Sequence, residues 1–232
     1  MKYKAILFDL DGTLLPMDAD VFGKRYFGAI TRWLAPHGYD PKETLESIML
    51  GSYAMVKNNG DTCNESVFWE VFEGRHGKID RGVFDAFYAT EAIHVLDVCA
   101  PNARAARVIE AVKRGGAVAV LATNPMFPAV FTELRARYAG LNTEDFALIT
   151  TFENSRRCKP NPAYYEEILS ALGLLPEQCL MVGNDVEEDM IPAAALGMDA
   201  FLLTDCLINK KDRDVSVYQR GNFDDLLAYL AR

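Results

Sequence analysis

Short apolar runs alternate with amphipathic stretches along most of this chain. Ala5–Phe8, Ala117–Ala122, Phe146–Ile149, Leu180–Val182 and Ala200–Leu203 are continuous or nearly continuous apolar runs. Runs of that length suit strands covered on both faces. Helical patterns lie between them, over Ala103–Lys113, Phe127–Tyr138, Pro162–Leu172, Glu188–Leu196 and Asp224–Leu230. Their boundaries are punctuated. Pro101-Asn102 precedes the first, Asn161 can cap the third with Pro162 in its first turn and Gly173 at its stop, and Gly197 ends the fourth. Gly115-Gly116 supplies a turn before the second strand. Strands alternating with helices predict an α/β fold built on a parallel sheet with helices on both faces.

Residues 18–94 break this rhythm. They hold no convincing buried strand and read as amphipathic helices over Val21–Leu34, Pro41–Met49, Glu65–Glu73 and Val83–Tyr88. Aromatic residues are dense there, among them Trp33, Tyr53, Phe68, Trp69, Phe72, Phe84, Phe87 and Tyr88. The expectation is an aromatic core for a small helical bundle. The chain therefore divides into a core of residues 1–17 and 95–232 and a helical insert of residues 18–94 placed after the first strand.

Composition narrows the function. The 232 residues carry a net charge of −9, which argues against general nucleic-acid binding and against an anionic membrane surface. A phosphorylated substrate stays open, because a metal ion and a few local cations can overcome the overall field. The five cysteines, Cys63, Cys99, Cys158, Cys179 and Cys206, have no CxxC spacing and suit reduced thiols. His37, His76 and His94 are scattered, so no zinc site is expected. The opening MKYKAILFDLDG lacks the long apolar run of a secretory leader, and no stretch approaches the ~20 apolar residues that span a bilayer. A soluble cytoplasmic protein is expected.

Four segments carry candidate chemistry. In Phe8-Asp9-Leu10-Asp11-Gly12-Thr13, two carboxylates stand two residues apart, directly after a buried strand. The carboxyl end of a strand is where ligands bind in an α/β sheet, and extended geometry would turn both side chains to one side. Of two neighbouring carboxylates, one stays ionised most easily beside a cation while the other holds a proton, as a nucleophile and a general acid/base require. The second segment, Leu121-Ala122-Thr123-Asn124-Pro125, also ends a strand, and its Thr123 hydroxyl and backbone N–H groups can face an anion. In the third, Cys158-Lys159-Pro160-Asn161-Pro162, prolines restrict a lysine that can present its ammonium to a phosphate oxygen, with Arg156 and Arg157 beside it. The fourth, Gly183-Asn184-Asp185-Val186-Glu187-Glu188-Asp189, again follows a strand. Hard oxygen ligands of this kind are what Mg²⁺ selects. A helical turn would put Asp185 and Asp189 on one side, while Glu187 and Glu188 suit a helix N-terminus. Each segment alone also fits an ordinary turn or a solvated surface group; their order makes the set specific.

Together and in this order, the four segments resemble the haloacid dehalogenase superfamily of hydrolases, over nearly the whole chain. The resemblance implies a Rossmann-like core with an inserted α-helical cap of the C1 type. It implies a Mg²⁺-dependent phosphatase acting on a small phosphorylated metabolite, with no nucleic acid or membrane as partner. Asp9 would attack phosphorus and form an aspartyl-phosphate. Asp11 would protonate the leaving oxygen and then activate water. Thr123 and Lys159 would hold the phosphoryl oxygens, with Asn124 assisting through its amide. Asp185 would bind Mg²⁺ with the Asp9 carboxylate and the Asp11 backbone carbonyl. Asn184 departs from the family's commoner Gly-Asp pair, and it leaves Asp189 either as a further metal group or as the partner that orients Lys159.

The resemblance admits other chemistry. A sugar-phosphate mutase uses the same core, a phosphonatase needs a cap lysine for which Lys57 is the candidate, and a non-catalytic binding protein would be expected to lose Asp9 or Asp185. A dehalogenase lacks the second aspartate. In this family the cap shapes the leaving-group pocket, and the polar side chains of Gly51–Thr62, namely Ser52, Lys57, Asn58, Asn59 and Thr62, would suit a hydroxylated or anionic leaving group.

Overall fold

The computed structural model describes residues 2–231. Among them, β1 (Ala5–Phe8), β2 (Val118–Leu121), β3 (Phe146–Ile149), β4 (Cys179–Gly183), β5 (Asp199–Leu203) and β6 (Gln219–Gly221) form one sheet in the order β3-β2-β1-β4-β5-β6. Every neighbouring pair is parallel. The α/β, Rossmann-like architecture expected from the strand–helix alternation is the one observed. Strand order reverses at β1, so the crevice beyond the ends of β1 and β4 is the place where such a sheet can hold a ligand.

The period of two along each strand sorts side chains into two layers. Ile6 and Phe8 enter the layer that holds Val108 and Val112 of α5 (Ala103–Arg114) and Phe223 and Leu226 of α9 (Phe223–Leu230). Ala5 and Leu7 enter the opposite layer, with Tyr164 and Ile168 of α7 (Pro162–Leu172) and Ala193 of α8 (Ile191–Ala195). All four residues of β1 are fully buried, which explains why the strand is a continuous apolar run rather than an alternating one.

Local signals set most helix ends. Asn161 accepts from the backbone N–H of Ala163 at the start of α7, and Gly173 closes it in the left-handed conformation. Asn102 caps α5 in the same way. Three expectations change. The helix expected from Phe127 begins instead at Ala129 as α6 (Ala129–Tyr138), because Pro128 disfavours a helical Phe127. The helix expected over Glu188–Leu196 is a π-helical turn, Val186–Met190, followed by the short α8. Pro192 has no N–H to give the carbonyl four residues back, and that carbonyl, of Glu188, accepts from Tyr165 Oη at 2.7 Å instead. Strand β6, Gln-Arg-Gly, carries no apolar pattern that would predict it.

Between β1 and α5 lie α1 (Ala19–Leu34), α2 (Pro41–Val56), α3 (Asn64–His76), α4 (Gly82–Thr90) and a 3₁₀ segment, Ala92–Val98. Their aromatic residues build a core. Phe72 and Phe87 are fully buried; Phe84 meets Phe72 edge-on at 5.3 Å and Trp69 at 5.1 Å. Tyr53 is the exception, largely exposed on α2. The two chain connections into this region touch, Ala100 N donating to Pro16 O at 2.9 Å. Asn64, at the start of α3 and fully buried, donates to the carbonyls of Pro125 and Arg157 and to Cys158 Sγ. Its own N–H donates to Ser155 O. The helical region is thereby tied to the loops that follow β2 and β3.

All five cysteines are free thiols. No helix among the described residues is long and apolar enough to cross a membrane. Because the aromatic core of α1–α4 is continuous with the layer under the sheet, Phe72→Ala is expected to lower the unfolding free energy by about 3–5 kcal/mol. Urea denaturation followed by both near- and far-ultraviolet circular dichroism measures it.

Candidate active site

Asp9 extends β1 by one residue, its N–H donating to Val182 O of β4 at 2.9 Å. Its side chain is buried, with 7% of the residue exposed. Asp9 Oδ1 accepts from Lys159 Nζ at 2.9 Å, and Oδ2 accepts from Thr13 Oγ1 at 3.0 Å. The chain then turns sharply at Gly12, whose φ of +80° favours glycine. A side chain there would also strike Asn184, since a Cβ would lie 2.3 Å from its Nδ2. Asn184 is itself buried, donates to Cys206 O at 2.6 Å, and shares the Thr13 hydroxyl at 2.9 Å. The departure at Asn184 is thus a structural tie between the turns that follow β1 and β4.

Lys159, in the loop before α7, is almost wholly buried. It donates to Asp189 Oδ1 at 2.6 Å as well as to Asp9. Burial disfavours its charge, and the two carboxylates more than reverse this, so its pKa stands well above the usual lysine value. Asp189 is held from its other side by the Asp185 N–H, which donates to Oδ2 at 3.1 Å. Gly183 makes room for it, because a Cβ at that position would lie 2.1 Å from Asp189 Oδ2.

Asp185 caps the π-helical turn, Oδ1 accepting from the backbone N–H groups of Glu187 and Glu188. Glu187 faces outward to Lys211 and Arg213, as a helix-terminal acid would. Glu188 does not: its Oε2 accepts from Asn124 Nδ2 at 3.0 Å. Burial pushes its carboxyl up to about 7; Lys159 and Asn124 oppose this, and the charges of Asp185 and Asp9 add to it. Thr123 is buried, and its carbonyl accepts from Tyr164 Oη at 2.9 Å and Thr150 Oγ1 at 2.7 Å.

The Asp11 carboxyl is surrounded by protein although 30% of its side-chain surface is open. Burial raises it above the ordinary carboxylate range; Arg135 counters that rise and Asp9 adds to it. Asp11 Oδ2 is paired with Nη1 of Arg135, a fully buried residue of α6. Three of the four buried side-chain polar atoms without a hydrogen-bond partner among the described residues belong here: Asp11 Oδ1, Asn124 Oδ1 and Arg135 Nε. Native interiors satisfy nearly all such atoms, and a cluster of exceptions marks a place where a ligand or water supplies the partner.

The structure therefore brings Asp9, Asp11, Thr123, Asn124, Lys159, Asp185 and Asp189 to the ends of β1, β2 and β4 and the loop before α7. Within the metal set expected from the sequence, the side chains divide. Asp189 has both oxygens engaged, by Lys159 and by the Asp185 N–H; this is the Lys159-orienting arrangement of the two left open. The Asp11 side chain is engaged by Arg135. No three His, Cys, Asp or Glu side chains among the described residues converge as a metal cluster. The Asp9 and Asp185 carboxylates and the Asp11 carbonyl are few, hard, oxygen-only donors, and the Asp9 oxygens also accept from Lys159 and Thr13. That set fits Mg²⁺, which keeps several waters and takes phosphate oxygens.

Three further residues join this region: Arg135, Glu188 and Asn64. Arg135 lies in a helix amid other charges, and no local pattern distinguishes it. For Glu188 the signal was the acid run itself, but neighbouring helix-terminal acids look alike until the turn is built. Two polar side chains of the Gly51–Thr62 segment are placed in contrasting ways. Asn58 is buried and serves the loop's own shape, donating to Thr62 O and Asn64 Oδ1 and accepting from the Gly60 N–H. Lys57 is exposed, its ammonium 5.7 Å from the Tyr53 ring. A cavity of about 850 Å³, lined by apolar groups including Phe68, Trp69 and Phe127, opens between the helical insert and the loop after β2.

Residues 3–197 match the family "Hydrolase: haloacid dehalogenase-like hydrolase". The chain is 28% identical over 204 residues to hexitol phosphatase A of Escherichia coli, covering 85% of this chain and 81% of that one. It superposes on a 2-haloacid dehalogenase from Pseudomonas syringae with a TM-score of 0.66 at 21% identity, over 99% of both chains. It superposes on a HAD phosphatase from Thermococcus onnurineus with a TM-score of 0.60 at 18% identity, over 98% of this chain and 97% of that one.

Lys159 is the charge that both buried carboxylates share. Lys159→Met is expected to lower the unfolding free energy by about 3–5 kcal/mol by stranding them. Guanidinium denaturation at neutral pH provides the measurement, and a loss below about 1 kcal/mol would show that the pairing seen here does not hold the site together.

Proposed function

Because this chain belongs to the haloacid dehalogenase-like hydrolases, we propose that it is a Mg²⁺-dependent phosphatase of small phosphorylated metabolites, working in the cytoplasm. A phosphorylated sugar or sugar alcohol is the substrate class favoured by its likeness to hexitol phosphatase A. One observation carries the reading. A second carboxyl, Asp11, stands beside Asp9 with one oxygen anchored and the other, Oδ1, buried and unpartnered. An alkoxide leaving group needs a proton donor at that place; a halide does not.

In the first step the Asp9 carboxylate attacks phosphorus. The new Asp9–phosphorus bond forms as the bond to the leaving oxygen breaks, and Asp11 gives its proton to that oxygen, releasing the alcohol. In the second step Asp11 takes a proton from water as the water oxygen attacks the aspartyl-phosphate. Inorganic phosphate leaves, and both carboxyl groups return to their starting state. Lys159, already 2.9 Å from Asp9, offers its charge to the phosphoryl oxygens. Thr123 and Asn124 line the same oxygens, and Asp189 keeps the ammonium aimed. Bound by the Asp9 and Asp185 carboxylates and the Asp11 carbonyl, Mg²⁺ would supply charge neutralisation for the phosphate. Residues 18–94 act as the cap over a core of residues 1–17 and 95–232. The exposed position of Lys57 gives no support to imine chemistry of the phosphonatase kind, which requires a desolvated lysine.

The test is phosphate release from a panel of sorbitol 6-phosphate, glyceraldehyde 3-phosphate, phosphoglycolate and p-nitrophenyl phosphate, with Mg²⁺ and with EDTA. Release should require the metal and fall by at least about 10³-fold in Asp9→Asn, the scale expected on removing a nucleophile; retention of activity by that variant would remove Asp9 from its role. Asp185→Ala should raise the Mg²⁺ concentration needed for half-maximal rate by about 10-fold or more. Unchanged metal dependence would reassign the metal ligand.

A further inference from the structure

Arg135 has no exposed surface, yet its guanidinium is not fully satisfied. Nη1 is paired with Asp11 Oδ2, Nη2 donates to Thr132 Oγ1 at 3.3 Å, and Nε has no partner. Phe127 and Phe131 flank it, with ring centroids 4.5 and 5.2 Å from the guanidinium carbon. Those two rings are in turn gripped by the helical insert. Tyr26 of α1 stacks on Phe131 at 5.8 Å and meets Phe127 edge-on at 5.1 Å. Tyr88 of α4 lies 5.5 Å from Phe131 and shares a 2.7 Å hydrogen bond with the Tyr26 hydroxyl.

Stability alone does not ask for a cation here. A buried ion pair often contributes no more than a well-packed apolar replacement, because both charges lose their water. What the pair does provide is orientation. With Oδ2 committed to Arg135, the Asp11 carboxyl cannot rotate without stranding the guanidinium, and Oδ1 is the oxygen left free. The aromatic flanks leave the guanidinium little room to follow any other geometry.

Resting on the reading of Asp11 as the proton-transfer group, we propose that Arg135 is the positioning residue of that group: it holds Oδ2 and so presents Oδ1 to the leaving-group oxygen, with Phe127, Phe131, Tyr26 and Tyr88 clamping the guanidinium and tying the acid's position to the seating of α1 and α4. The proton on Oδ1 passes to the oxygen of the breaking phosphorus–oxygen bond while the Asp9–phosphorus bond forms. Asp11 becomes a carboxylate whose charge Arg135 already faces, and the guanidinium keeps all its protons. Arg135 touches neither phosphate nor alcohol.

A misplaced acid penalises esters with poor leaving groups and spares those that leave unprotonated. Arg135→Met should therefore lower kcat/KM about 10²-fold for sorbitol 6-phosphate, or for whichever alkyl phosphate of the panel is hydrolysed fastest, and less than about 3-fold for p-nitrophenyl phosphate. In an Asp11→Asn background, where removing the guanidinium strands no carboxylate, adding Arg135→Met should change the alkyl-ester rate by less than about 2-fold, because the two residues act as one unit. Phe127→Leu, which keeps an apolar side chain but removes one flank of the clamp, should show the same alkyl-selective loss at about 10-fold. Equal losses on both esters, or a full further loss in the Asp11→Asn background, would overturn the role of Arg135 and leave that of Asp11 standing. An Asp11→Asn variant that hydrolyses the alkyl ester at the wild-type rate would overturn both.

Discussion

One buried ammonium organises the end of this sheet. Lys159 lies between Asp9 at the end of β1 and Asp189 in the turn after β4, within 2.9 and 2.6 Å of their carboxylates. In a low-dielectric setting two carboxylates this close would repel, and each alone would be strongly penalised by burial. The cation between them makes both tolerable. Its position fixes much else. Asp189 must stay within reach, so Gly183 carries no side chain and the Asp185 N–H closes on the far carboxylate oxygen. The Asp185 carboxylate then caps the π-helical turn.

The crevice is built from two directions that use different physics. From the core side come charges and backbone ends, held by strand pairing and by hydroxyls such as those of Tyr164 and Thr150 on the Thr123 carbonyl. From the insert come aromatic rings, packed by dispersion and edge-to-face contact. Asn64 joins the two through three side-chain hydrogen bonds to the loops after β2 and β3, and the Arg135 clamp joins them through rings. A change in how the helices sit is thereby felt at Arg135 and at the Asp11 carboxyl that it holds. The apolar cavity between insert and core lies beside this junction, and none of the residues assigned to the phosphoryl site lines it.

Legible in the chain before folding were the α/β class, the five apolar strands and their parallel pairing, the helices between the first strand and the rest with their aromatic core, and the placing of Asp9, Asp11, Thr123, Asn124, Lys159, Asp185 and Asp189 at strand ends and in the loop before α7. These are legible because burial on both faces writes a continuous apolar run and because strand ends carry short motifs in fixed order. Which carboxylate pairs with which cation follows only from the folded arrangement. Asp189 and Asp11 look alike as acids in a motif, but one closes on Lys159 and the other on Arg135, 124 residues away in sequence from Asp11. The folded arrangement also turned Glu188 inward and Glu187 outward, through a π-helical turn whose spacing answers to Pro192 and to the Tyr165 hydroxyl, and it committed Asn58 to the interior of its own loop. Local patterns encode what a residue does to its own backbone and which face it buries; the partner of a buried charge is chosen by distant elements brought within about 3 Å, and no local pattern carries that.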